Sequence, residues 1–350
     1  MISDDNISDT VSFAILFVAV SLYCSITILV VQNLPSLLAS AVSSFHRGWS
    51  WTAGACSRMV SASKKQQSRT EAFSNSHGDI LKMLYEKNDF ATLVRMLSPT
   101  LKERNPAKWR MILEIMAAIH FCFMMLEAFP DDDFRKCCPL MFGPAETANR
   151  AYWMLTKVAN KTMKEYPQLA PFLLQNLEDI FEGEDISLVW RRDGIKALPS
   201  TKKARNRAYR RYASLRRGAL YRLTGQLVAE DHSCDDLMSS MAWHSHLKDD
   251  CSYLFLFSSN PSRAKRFFTE ALLNNHFSWP VILALNDASK GPVVAEALMT
   301  KSPEAIERAI EVIQCEGIQS TCRQEFVIIE RTVKDLMGIW RRKQEYKSRE

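Results

Sequence analysis

Glycine is scarce in this chain, with 11 in 350 residues. That scarcity argues against a glycine-rich loop cradling a phosphate on its backbone. No P-loop, HExxH, GxSxG or dinucleotide fingerprint occurs. Alternating β-branched runs are also hard to find, which leaves little basis for sheets. One short apolar run, Ser252 to Phe257, is ambiguous between strand and helix. There is no CxxC pair. The nine cysteines, Cys137-Cys138 included, are odd in number and scattered, so no disulfide framework or redox motif is expected. Reduced, mostly buried thiols are the plain reading.

Charge is absent where it matters most. From Thr10 to Phe45 there is no Asp, Glu, Lys or Arg. Val11 to Val31, as a helix, would span about 31 Å, the thickness of a bilayer's hydrocarbon core. Asp4, Asp5 and Asp9 precede it, and Arg47, Arg58, Lys64, Lys65 and Arg69 follow. The expectation is a single-pass transmembrane helix at 11–33, with the N-terminus outside and the bulk in the cytosol. Two alternatives are a cleaved signal peptide, with Ala39-Ser40-Ala41 as its site, and a buried helix of a soluble protein. The run Leu113 to Leu126, bounded by Glu114 and Glu127 and interrupted by His120, is too short to span and reads as a core helix.

The rest reads as mainly α. An acidic tail at 1–10, the spanning helix at 11–33 and a Ser-rich linker at 34–77 precede a helical domain at 78–190. A basic element at 191–230 and a second helical part at 231–350 follow. Helix starts are marked at Pro144, Pro167, Asn260-Pro261 and Ser302-Pro303-Glu304. Gly317 fits a C′ position, and a last helix is expected from about Thr321. Such a series forms a multi-helix bundle or, as the alternative, an α-solenoid. No fixed repeat period supports the second.

What the chain does have is one concentrated cationic element. Arg191 to Arg222 holds twelve basic residues against Asp193 alone, net +11 in a chain of +6, so the remainder is net acidic. On a helix over Ala204 to Leu227, Tyr209, Tyr212, Leu215, Ala219, Leu220, Leu223 and Leu227 share one face. Arg207, Arg210, Arg211 and Arg217 take the opposite face, while Arg205 and Arg216 fall on or beside the apolar one. The tyrosines are core anchors on this reading. Lys202, Lys203, Arg205, Arg207, Arg210, Arg211, Arg216 and Arg217 are the candidate polyanion ligands, because guanidinium forks match phosphate oxygens.

His232, Cys234, His244, His246 and Cys251 are zinc-ligand types within 20 residues, but their spacing matches no metal pattern. Asp131-Asp132-Asp133 reads as a charged turn. No cofactor is expected. The function that follows is a membrane-anchored, non-enzymatic binder of nucleic acid or other polyanions, anionic lipid among them. An adaptor binding other proteins or its own copies is the alternative, and an enzyme of unknown chemistry the third.

Overall fold

A computed structural model describes residues 89–127, 144–255 and 260–347. The expected spanning helix at 11–33, the charged turn at Asp131-Asp132-Asp133 and Cys137-Cys138 lie outside the described residues. Among the described residues no helix is long and apolar enough to cross a membrane, so the single-pass expectation finds no support there.

The described chain is a helical bundle. In order come α1 (Asp89–Leu97), α2 (Leu101–Arg104), α3 (Pro106–Glu127), α4 (Pro144–Glu165), α5 (Ala170–Asp193) and α6 (Lys202–Ala213). Then follow α7 (Ala219–Ala229), α8 (Asp235–Phe255), α9 (Pro261–Leu273), α10 (Trp279–Leu285), α11 (Gly291–Thr300), α12 (Pro303–Ile313) and α13 (Glu316–Lys347). Short 3₁₀ turns at Pro167–Leu169 and Gly194–Ala197 bracket α5. Between α6 and α7 the chain makes a π-helical turn, Ser214–Gly218.

Several ends form as the residues dictate. Asn260 and Ser302 cap α9 and α12 by accepting from the backbone N–H of Arg263 and Ala305. Thr201 caps α6 in the same way. Two expectations need correcting. Gly317 sits inside α13, which begins at Glu316, so it ends no helix. Ser252 to Phe255 is helical, the last turn of α8. Leu254 is buried there, while Tyr253 stacks on Phe267 of α9 and Phe255 meets Phe326 of α13. Neighbours on several sides need a helix's angular spread, not a strand's two faces.

The helices bury two cores, and this replaces the solenoid alternative with a bundle. The first gathers α1 to α5 and α7, including Val94, Ile112, Ile115, Met116, Ile119, Leu173 and Leu223. The second gathers α6 and α9 to α12 around Tyr209, Phe268, Trp279, Val281 and Ile310. Helices α5, α8 and α13 run through both, with Leu177 and Trp190, Met238 and Leu247, and Trp340 and Cys322 on the two sides. The π turn lies where the cores meet.

Candidate active site

The π turn carries Arg216 and Arg217 and packs against both α5 and α8. Such turns reset the phase of a helix by one residue and often occur at functional positions. Close approach needs Gly183 on α5. A Cβ there would lie 2.9 Å from the backbone N of Arg216 and 3.1 Å from Leu215 Cβ.

The shift in phase sends Arg216 inward. Its Nε lies 3.0 Å from Glu184 Oε2, and its Nη1 donates to the Tyr212 hydroxyl at 2.9 Å. Burial lowers the Arg216 pKa to about 10, helped by the neighbouring Arg217 charge. Burial raises that of Glu184, opposed by Arg191. Glu184 Oε2 faces Arg216 as an ion pair but, among the described residues, lacks a partner in hydrogen-bonding geometry. Among the described residues Ser278 Oγ and Trp279 Nε1 are also buried without a hydrogen-bond partner. Unsatisfied buried polar atoms of this kind are where the atoms of a bound molecule or water would be expected to land.

Arg217 points along the other side of the turn. It is ion-paired with Asp249 of α8 and donates to Ser245 Oγ at 3.2 Å. Asp249 is exposed, whereas the next residue, Asp250, is nearly sequestered. Asp250 Oδ2 accepts from the Tyr209 hydroxyl and, at 2.7 Å, from the backbone N–H of Trp279 at the start of α10. Burial raises the Asp250 pKa to about 6 despite those two donors. The Tyr209 oxygen is also 3.1 Å from His246 Nε2. Since Tyr209 donates to Asp250, His246 must donate through Nε2, which fixes its tautomer. Burial and the two arginines depress the His246 pKa to about 3. The imidazole is neutral at pH 7, so its 3.6 Å approach to Asp250 is not an ion pair.

Aromatic rings wall this cluster. Trp190 lies parallel to Tyr209 at 6.2 Å and is 4.9 Å from Tyr212. Trp279 is 5.6 Å from Tyr209 and 5.5 Å from Trp243.

The other basic candidates do not form one open face. Arg205 is half-buried and donates to the carbonyls of Pro199, Ser200 and Leu285 and to Asn286 Oδ1. Arg210 lies over Trp243 and Trp279 and donates to Glu325. Arg211 pairs with Glu182, and Arg222 with Asp179. Lys202, Lys203 and Arg207 are exposed. Half of the twelve cations, Arg192, Arg210, Arg211, Arg216, Arg217 and Arg222, are thus matched by the chain's own acids.

The zinc-type residues are not brought together either. His232 bonds Asp235, Cys234 packs under Gly225, and His244 lies 3.8 Å from Glu330 on α13. Cys251 is buried in the second core, as is Cys322. Among the described residues no group of three or more His, Cys, Asp or Glu could hold a metal ion. Sequence reasoning missed Glu184, Asp249 and Asp250 as parts of one cluster. The available signal was Arg216, an arginine placed on an apolar helix face, where a charge stands only with a buried partner.

The fold is that of the isoprenyl diphosphate synthases. A geranylgeranyl pyrophosphate synthase from Lactobacillus brevis superposes with a TM-score of 0.56 at 15% identity, covering 76% of this chain and 80% of that one. An unliganded T. brucei FPPS gives 0.51 at 13% identity, covering 78% and 94%. No family model matches the sequence. Individual relatives do. Prenyl transferase penC of Penicillium crustosum is 42% identical over 268 residues, 75% of this chain and 78% of that protein. Prenyl transferase paxC of Penicillium paxilli is 40% identical over 270 residues, 76% and 84%. Prenyltransferase ltmC of Epichloe festucae var. lolii is 36% identical over 267 residues, 75% and 77%.

The chain belongs to this prenyl transferase family. Membership overturns the expectation of a non-enzymatic binder, and with it the nucleic-acid and adaptor readings. Relatives and fold together indicate an enzyme.

Proposed function

We propose that the chain transfers a prenyl group from an allylic prenyl diphosphate to an acceptor nucleophile. The observation that carries this is the 42% identity to a prenyl transferase over three quarters of the chain. The geometry of the π turn agrees with it. In such a transfer the bond between the allylic C1 and the diphosphate oxygen breaks, and its electron pair leaves with the diphosphate. The acceptor's electrons then form the new bond to C1, and an acceptor with a proton to lose gives it up. Negative charge grows on the leaving oxygen, and fixed cations lower that barrier.

Arg216 and Arg217 are the cations at the meeting of the two cores. Arg216 is the half-buried one, preorganised by Glu184 and Tyr212. Among the described residues Arg217 is held through Nη1 by Asp249 and the Ser245 hydroxyl, and its other guanidinium nitrogens can donate to a diphosphate from that position. Bidentate guanidinium bonds to phosphate oxygens are the strong kind.

The acceptor separates two forms of the reaction. A synthase uses a second prenyl diphosphate, and only the fold supports that form, at 15% identity. The higher identity to proteins named transferases favours an acceptor of another kind. The test is diphosphate release by the purified full chain with C10 to C20 prenyl diphosphates, with and without a panel of nucleophilic acceptors. Arg217→Ala is expected to raise KM for the prenyl diphosphate about tenfold, the loss of one charge-assisted hydrogen bond. Absence of release from any chain length under every acceptor would overturn the reading.

A further inference from the structure

Arg217 meets Asp249, and Asp249 owes its direction to the residue after it. Successive residues on a helix point about 100° apart. Whatever fixes Asp250 therefore also fixes where Asp249 projects. Two other elements converge on Asp250, α6 through the Tyr209 hydroxyl and α10 through the Trp279 N–H at 2.7 Å, and His246 of α8 bonds the same hydroxyl at 3.1 Å. Tyr209 has no exposed surface, and its ring is held between Trp190, Tyr212 and Trp279.

We propose that Tyr209 is a positioning residue for the reaction, which rests on the prenyl-transfer reading. Its hydroxyl locks the α8 turn from Ser245 to Asp250, so that Ser245 and Asp249 hold Arg217 where the diphosphate arrives. Tyr209 does not meet the substrate. It acts from behind α8, through Asp250, on the residues that hold the arginine.

The arrangement assigns opposite roles to two adjacent aspartates. Asp250 accepts from two donors on other elements and is built into the interior. Asp249 faces outward and meets Arg217. Tyr212, three residues along the same helix, differs from Tyr209 in its partner: it accepts from Arg216 and belongs to the other arginine.

The test is a double-mutant cycle in the full-length protein, read as kcat/KM for the prenyl diphosphate. Tyr209→Phe removes only the hydroxyl and is expected to lower kcat/KM about tenfold. Asp249→Asn is expected to cost at least as much. In the double variant the two losses should not multiply, leaving kcat/KM within about twofold of Asp249→Asn alone. Ile310→Val, buried in the same core, controls for lost stability and should keep kcat/KM.

Amide hydrogen exchange adds a readout free of turnover. Tyr209→Phe should speed exchange at 246–251 more than in the rest of α8. If Tyr209→Phe yields no folded protein, Asp250→Asn cuts the same node, because its amide still accepts from Trp279 but no longer as a carboxylate. Unchanged kcat/KM, multiplying losses, or unchanged exchange at 246–251 would each overturn the role given to Tyr209. A wild-type chain that releases no diphosphate would instead count against prenyl transfer itself, and the exchange measurement would still decide the lock.

Discussion

His246 and Asp250 face one hydroxyl with opposite titration behaviour. The His246 pKa is held near 3, far below the ordinary value of about 6.5. Its contribution to stability is therefore present above pH 6.5 and lost as pH falls, because the unfolded chain takes up the proton first. Asp250 lies near 6, above the ordinary carboxylate value. Its contribution has the reverse sign, present below about pH 4 and lost as pH rises through 6. The histidine shift is the larger, so acidification from pH 7 to 4.5 should weaken the fold at this node. His246→Gln removes that term. Relative to the variant, the wild type should lose about 2 kcal/mol over that interval, measured by denaturant unfolding at both pH values. A constant gap between the two proteins would show that His246 takes up its proton in the folded state near the ordinary pKa.

At the scale of the helix, local chemistry and tertiary context divide the account between them. The Asn260-Pro261 and Ser302-Pro303 starts were legible because a cap needs only a side-chain oxygen three residues before an N–H. Ser302→Ala should lower stability by about 1 kcal/mol, seen as a lower unfolding midpoint without a change in m-value. The π turn had no such signature. It adds one residue to a helix turn, and no residue type demands that. Its trace in the sequence was indirect: Arg216 fell on the apolar face of an ideal wheel because the real helix is out of phase there. The last turn of α8 was equally unreadable, since Tyr253 and Phe255 found their partners on α9 and α13, far along the chain.

Across the whole molecule, the helical class was legible and the enzyme was not. Asp179, Glu182, Glu184, Asp249 and Glu325 lie outside the basic stretch that they neutralise, on three other helices. A linear reading shows the cations together and the anions dispersed, and so it overstates the field available to a polyanion. The fold also ties distant segments directly. Trp340 of α13 is buried in the first core, and its Nε1–H donates to the carbonyl of Leu97 at 3.0 Å, where α1 ends. Trp340→Phe keeps most of the ring and removes the donor. It should cost about 1–2 kcal/mol, with faster amide exchange in α1 as the local sign.

That indole bond joins residues 243 positions apart. During synthesis α1 is made long before Trp340 exists, so the Leu97 carbonyl gains this donor only after that later segment has been added. This contact is among the most non-local in the core, and the entropy cost of closing the loop between its two ends must be met before the bond can add to stability.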